Sequence, residues 1–267
     1  MKNKTVKYSL SEWVETLPAD GRYTFTREQA EKATGASFVA TQTALRRLRK
    51  KGRIVSPWRG FYVFVPPEYR AAGAPPASWF IDDLMRHCGR EYYVGLLSAA
   101  ALHGAGHQQP MVLQVFADMT TPDMHAGRSN IRVYNSRYVG KSSTVLVQTE
   151  TGYMTVASPE TTAFDLVRFP GRAGYWNNIA TLLIELAEKL DMELLIEEAE
   201  RRKLPDSQRL GYVLSSCGEE SLAESLALWL ERKRTAIIKL QRDKPAGDRQ
   251  VDARFRLIPN EEIEPDI

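Results

Sequence analysis

Cysteine is scarce in this chain. Its 267 residues include two, Cys88 and Cys217, far apart and outside any Cys-x-x-Cys spacing. Reduced thiols in a cytoplasmic protein fit that usage better than a disulfide framework or a cysteine metal site. Long apolar runs are missing too: no stretch approaches the ~20 residues of a membrane span. The opening MKNKTVK has no apolar segment behind it, so it does not read as a secretory signal. The phosphate-cradling patterns GxxxxGK[ST] and GxGxxG are absent. So is a Gly-Ser followed by paired aspartates, which a metal-dependent nucleotidyl transfer needs. Ser98 has no general base beside it in sequence, and Glu185 and Glu188 lie on a helical pattern opposite Leu and Ile, as solvated charge does. His87 and His125 stand alone. The expectation is a protein that is not an enzyme, with no cofactor and no metal.

What is present is a core-forming composition with lopsided charge. Hydrophobic residues make up 43% and charged residues 26%, as in a globular protein able to bury a core. The length suits one large domain or two ordinary ones. Residues 1–73 hold 14 Lys/Arg against 6 Asp/Glu, whereas the remainder holds 22 against 27. A basic head on an acidic body suggests that the head meets nucleic acid.

The head is organised around residues 37–65, SFVATQTALRRLRKKGRIVSPWRGFYVFV. Ser37 is a good N-cap for a helix from Phe38 to about Lys51, and Gly52 is where it should stop. Phe38, Thr41, Ala44, Leu45 and Leu48 share one side at helical spacing; Val39, Thr43, Arg46, Arg47 and Lys50 share the other. Two β-prone runs, Ile54–Trp58 and Phe61–Val65, flank Arg59-Gly60, a pair suited to a tight hairpin turn. Helices are expected earlier over Ser9–Leu17 and from Thr26 to Thr34, with Trp13 in the shared core rather than stacked on bases. The whole is a winged helix-turn-helix pattern. From Arg46 to Arg59 there are seven Lys/Arg and no acid, and clustered cations gain affinity for a phosphate backbone by releasing its counterions. Ser37, Gln42, Thr43, Arg46, Arg47, Lys50, Arg53 and Arg59 are the candidate DNA-binding residues.

Pro66-Pro67 and the Ala-, Gly- and Pro-rich run 71–77 read as a linker, placing a DNA-binding domain over 1–70 and a second domain over 78–267. The second should open with a helix capped by Ser78 and continue with an apolar helix over Tyr92–Leu102. His103 and His107, four apart, have the spacing of zinc ligands, but the intervening glycines favour a helix cap and loop. Strand-like runs follow at 111–116, 130–136, 144–148 and 153–156, then five helical segments between Ser158 and Glu231, and extended pieces at 236–240 and 251–258. Asp165, flanked by apolar residues, is expected to pair internally. The fold class is α+β: the winged head, then a larger mixed α/β domain with a small sheet flanked by several helices.

Together these segments resemble the AbiE-type antitoxins of abortive-infection, type IV toxin–antitoxin pairs, which act in phage defence. The resemblance rests on RRLRKKGRIVSPWRGFYV in the head, and on YVGLLSAAALHGAGHQQP, SPETTAFDLV, the start Arg209-Leu210-Gly211 and the closing VDARFRLIPN in the body. Phe255 stands in that last segment where the pattern leads one to expect Trp. The resemblance implies a cytoplasmic, nucleoid-associated repressor of its own operon that binds inverted repeats in double-stranded operator DNA as a two-fold pair. It implies a cognate nucleotidyltransferase-like toxin as the second partner. The alternative is a stand-alone ligand-responsive transcriptional regulator, which requires a pocket with convergent polar groups in the body; a winged-helix-guided nuclease would require clustered carboxylates.

Overall fold

A computed structural model describes residues 9–106 and 110–265. They fall into two compact units. One draws on residues 1–92, 111–136 and 146–155; the other on 93–110, 137–145 and 156–267.

The first unit begins with three short helices, each started by its own side-chain cap. Helix α1 (Leu10–Thr16) has Ser9 as N-cap in a reciprocal box with Glu12. After strand β1 (Thr24–Thr26), helix α2 (Arg27–Thr34) uses Thr26 and Gln29 the same way. Helix α3 (Phe38–Lys50) starts from Ser37. Strands β2 (Ile54–Trp58) and β3 (Phe61–Phe64) form the expected hairpin, with Trp58 facing Phe61 across a two-residue turn. Gly60 takes φ +77° there, a conformation side chains disfavour. Strand β1 pairs antiparallel with β3, giving the order β1-β3-β2. Leu10, Val14, Leu17, Phe25, Ala30, Leu45, Leu48, Ile54 and Phe64 form one buried cluster. Trp13 packs edge-on against Phe25 with ring centroids 5.3 Å apart, so it serves the core. This is the layout of a winged helix-turn-helix.

The run 71–77 is packed, not extended free of the unit. Ala74 is buried, Ser129 Oγ donates to the Pro75 carbonyl at 3.0 Å, and Arg128 N–H donates to the Ala72 carbonyl at 2.8 Å. Helix α4 (Ile81–His87) follows a single turn over Ala77–Trp79; Phe80, not Ser78, precedes it, and no side chain caps it. The apolar run at 92–102 divides. Tyr92–Val94 is strand β4, Gly95 intervenes, and helix α5 covers Leu96–Leu102. The local pattern is overridden because Val94 finds a parallel strand partner in Val156, far along the chain. Strand β5 (Val112–Ala117) pairs in parallel with β7 (Ser129–Asn135), and the short β6 (Met124–Ala126) pairs antiparallel with β7. Strands β8 (Thr144–Thr149) and β9 (Gly152–Ala157) are neighbours in a sheet.

Helices α6 (Pro159–Arg168), α7 (Tyr175–Ala187), α8 (Met192–Arg201), α9 (Leu204–Ser216) and α10 (Glu220–Glu231) fill the second unit, which closes with the two-residue strands β10 (Ile238–Lys239) and β11 (Leu257–Ile258), paired in parallel. Ser158 caps α6, with Pro159 in its first turn. Helix α6 is buried along nearly its whole length and carries Asp165 into the interior. There Asp165 does pair internally. Arg202 donates to Asp165 at 2.7 Å, to Glu198 at 2.7 Å and to Ser142 at 2.9 Å, and the Tyr93 hydroxyl donates to Asp165 at 3.1 Å. Burial opposes the charge on Arg202, but the two carboxylates outweigh it and hold its pKa above the ordinary guanidinium value.

The Arg209-Leu210-Gly211 motif also finds a physical reason. Arg209 donates to the carbonyls of Leu240, Lys239 and Pro205, tying the end of the chain to α9. A Cβ on Gly211 would run into the buried ring of Phe255. Among the described residues, no helix is long and apolar enough to cross a membrane. Both cysteines are free and partly buried; burial raises both thiols, Cys217 to about 11.

Two outcomes are expected in urea unfolding. Arg202→Met leaves Asp165 buried without its cation and Glu198 with Arg201 alone, and should cost about 3–5 kcal/mol. Gly211→Ala forces Phe255 to shift and should cost about 1–3 kcal/mol, with part of the loss recovered in the double variant with Phe255→Leu.

Candidate nucleic-acid interface

Helix α3 decides what this surface offers. It buries Thr41, Leu45 and Leu48 against the core. That choice of inner face turns the other sides outward. Gln42, Thr43, Arg46, Arg47 and Lys50 are exposed, and Arg59 is exposed at the hairpin turn. Among the described residues, none of Arg46, Arg47, Lys50 and Arg59 forms an ion pair. Their positive charge is therefore available to a partner. The cations crowd the last turns of α3, where the helix dipole favours them.

Two candidates have work inside the fold. Ser37 is exposed, but its Oγ accepts from the Ala40 N–H at 3.4 Å as the α3 cap. Arg53 is half-buried and pairs with Glu15 of α1, which removes much of its charge from the surface. Thr43 is intermediate: its hydroxyl donates to the Val39 carbonyl at 2.9 Å, leaving it an acceptor toward solvent.

Helical spacing places Phe38 on the inner side of α3, yet it is 49% exposed. It sits in the first helical turn, and the Arg27 guanidinium lies 4.9 Å above its ring as a cation–π cover. Val39 beside it is also exposed. Apolar groups in this position suit contact with thymine methyls, a signal that hydrophobic periodicity hides.

The hairpin turn is fixed at its base. The Gly60 carbonyl accepts from the Arg27 N–H at 3.1 Å. The His87 ring nitrogen lies 3.1 Å from the Arg59 carbonyl, and the His87 and Phe61 rings are 5.4 Å apart. His87, which belongs to no motif in the sequence, thus braces the turn that carries Arg59. His103 is likewise engaged locally, its Nε2 2.7 Å from the Ala157 carbonyl; His107 lies outside the described residues.

A winged helix-turn-helix with an unpaired cationic outer face, followed by a mixed body, defines a regulator-like two-part protein. Its sequence matches the family model "AbiEi antitoxin C-terminal domain" over residues 93–216 and the model "Transcriptional regulator, AbiEi antitoxin" over residues 14–65. The chain belongs to the AbiE-type antitoxin family. No curated protein gives a significant match. Among solved structures, the RV2827C protein from Mycobacterium tuberculosis is similar in fold. It is 20% identical, with a TM-score of 0.65, and the match covers 92% of this chain and 89% of that one.

The Ser37 cap separates stability from recognition. Ser37→Ala should lower stability by about 1 kcal/mol, whereas Ser37→Asp, which caps equally well, should keep it. Thermal melts of the two variants check this.

Proposed function

We propose that the chain is a DNA-binding antitoxin that represses its own operon and opposes a nucleotidyltransferase-like toxin encoded beside it. It acts by binding, not by catalysis. The observation that carries the DNA half is the set of exposed, unpaired cations on α3 and the hairpin turn, Arg46, Arg47, Lys50 and Arg59. Residues 1–70 are the DNA-binding module in this reading, with Gln42 and Thr43 beside Arg46 and Arg47 toward the base edges. Lys50 and Arg59 take phosphates. Two copies on an inverted repeat would set their α3 helices ~34 Å apart, one turn of duplex. The toxin half rests on family membership: the match over 93–216 lies in the part named for the antitoxin's C-terminal domain.

Fluorescence anisotropy on duplexes from the region upstream of the gene tests the first half. Lys50→Ala and Arg59→Ala should each shallow the slope of log affinity against log salt by roughly 0.9. Arg46→Ala with Arg47→Ala should cost about 1–3 kcal/mol for each base edge that an arginine reads. An unchanged affinity in that double variant would end the assignment. For the second half, co-expression with the neighbouring gene product should restore growth.

A further inference from the structure

The second unit holds a cleft of about 420 Å³, large enough for a small ligand. Arg168 and Phe169 line it at the end of α6, Arg172 in the turn that follows, Tyr175 and Trp176 at the start of α7, Arg209 on α9, and Arg242 after β10.

The charges there do not balance. Arg209 is 4% exposed, and its hydrogen bonds run to three backbone carbonyls. Burial first, then the like charge of Arg242, push its pKa down to about 10. The buried acid behind the cleft is Asp206, 1% exposed, which accepts from Arg168 at 2.6 Å and lies 3.7 Å from Arg242. Two guanidiniums thus share one buried carboxylate, Arg209 beside them is held by backbone carbonyls, and Asp243 is the acid on the lining. Elsewhere in this unit the count balances: Arg201 and Arg202 together serve the two buried carboxylates of Asp165 and Glu198. A cationic cleft short of counter-charge is stabilised by an incoming anion.

Its rim is also unusual. Tyr175 is 62% exposed and adopts φ +64°, the left-handed region that a bulky side chain enters at a cost. Strain of this kind persists where the surroundings impose it, and it gathers at ligand sites. The result is a flat aromatic ring standing beside the arginines. The guanidiniums of Arg168 and Arg172 lie 5.4 and 5.1 Å from the Phe169 ring, which orients them along the cleft wall.

We propose that this cleft binds a phosphate-bearing ligand of nucleotide size. The phosphate meets Arg242 at the mouth, above the buried charge of Arg209, and a planar base lies against Tyr175. The assignment is independent of DNA recognition by α3.

Calorimetry on the full chain tests it, with a purine mononucleotide, its nucleoside and inorganic pyrophosphate as probes, and with 20-base-pair duplex as a second arm. Arg242 and Tyr175 are exposed, and glycine accepts the backbone of position 175, so Arg242→Gln and Tyr175→Gly should retain the wild-type circular dichroism spectrum. The mononucleotide should bind at least tenfold more tightly than the nucleoside. Arg242→Gln should weaken mononucleotide and pyrophosphate at least tenfold, and Tyr175→Gly the mononucleotide but not pyrophosphate. If the phosphate belongs to a nucleic-acid backbone instead, the mononucleotide will not bind and Arg242→Gln will shallow the duplex salt slope by roughly 0.9. Equal affinity for nucleoside and nucleotide, or indifference of every probe to Arg242→Gln, overturns the proposal.

Discussion

The inner stripe of α3 is the constraint from which the rest of the head follows. Thr41, Leu45 and Leu48 fix the helix's rotation about its axis by burying against Leu10, Val14 and Ala30. Once that rotation is set, Gln42, Thr43, Arg46, Arg47 and Lys50 have nowhere to point but outward. A helix bearing this many cations repels itself. Two features offset the cost: the charges sit near the carbonyl end of the helix, and the solvent there screens them. The neighbouring acids do not neutralise the face, because they are engaged elsewhere: Glu15 pairs with Arg53, and Glu28 and Glu31 with Arg27. A helix held this way keeps its charge for a partner.

Much of this was legible in the residues, because it depends on neighbours in sequence. Ser9, Thr26 and Ser37 announce three helix starts by chemistry that reaches only three residues along the chain. The Arg59-Gly60 turn is equally local. What stayed hidden depends on distant partners. Tyr92–Val94 reads as part of a helix until Val156 is known to lie alongside. Arg53 reads as one more cation in the basic run until Glu15 is seen to hold it. Phe38 has core spacing, but spacing does not reveal that the helix's first turn runs past its packing partners. The brace between His87 and the Arg59 carbonyl joins residues from different elements, and no motif encodes it.

The body shows how resemblance and physics divide the explanation. Arg209-Leu210-Gly211 and the closing VDARFRLIPN are recognisable as separate segments, and the fold shows why they occur together. Gly211 leaves the volume that Phe255 fills, and Arg209 grips the carbonyls at Lys239 and Leu240, next to the strand that pairs with Leu257–Ile258. An indole is larger than a phenyl ring. The space above Gly211 is already so close to the Phe255 ring that a methyl group does not fit, so either aromatic would require glycine at this position.

Arginine is used in two opposite ways in the second unit, and the contrast decides which groups are structural. Arg202 lies between Asp165 and Glu198 with nearly every donor directed at a carboxylate or hydroxyl, so its charge is spent on holding α6 to α8. Such a centre has no electrostatic reason to bind anything further. Arg209 is as deeply buried, but backbone carbonyls offer it only partial charges. Hydrogen-bond geometry is satisfied at both sites; net charge is satisfied only at the first. That difference, rather than the number of arginines, marks the cleft beside Arg242 as the place in this unit where an anion has most to gain.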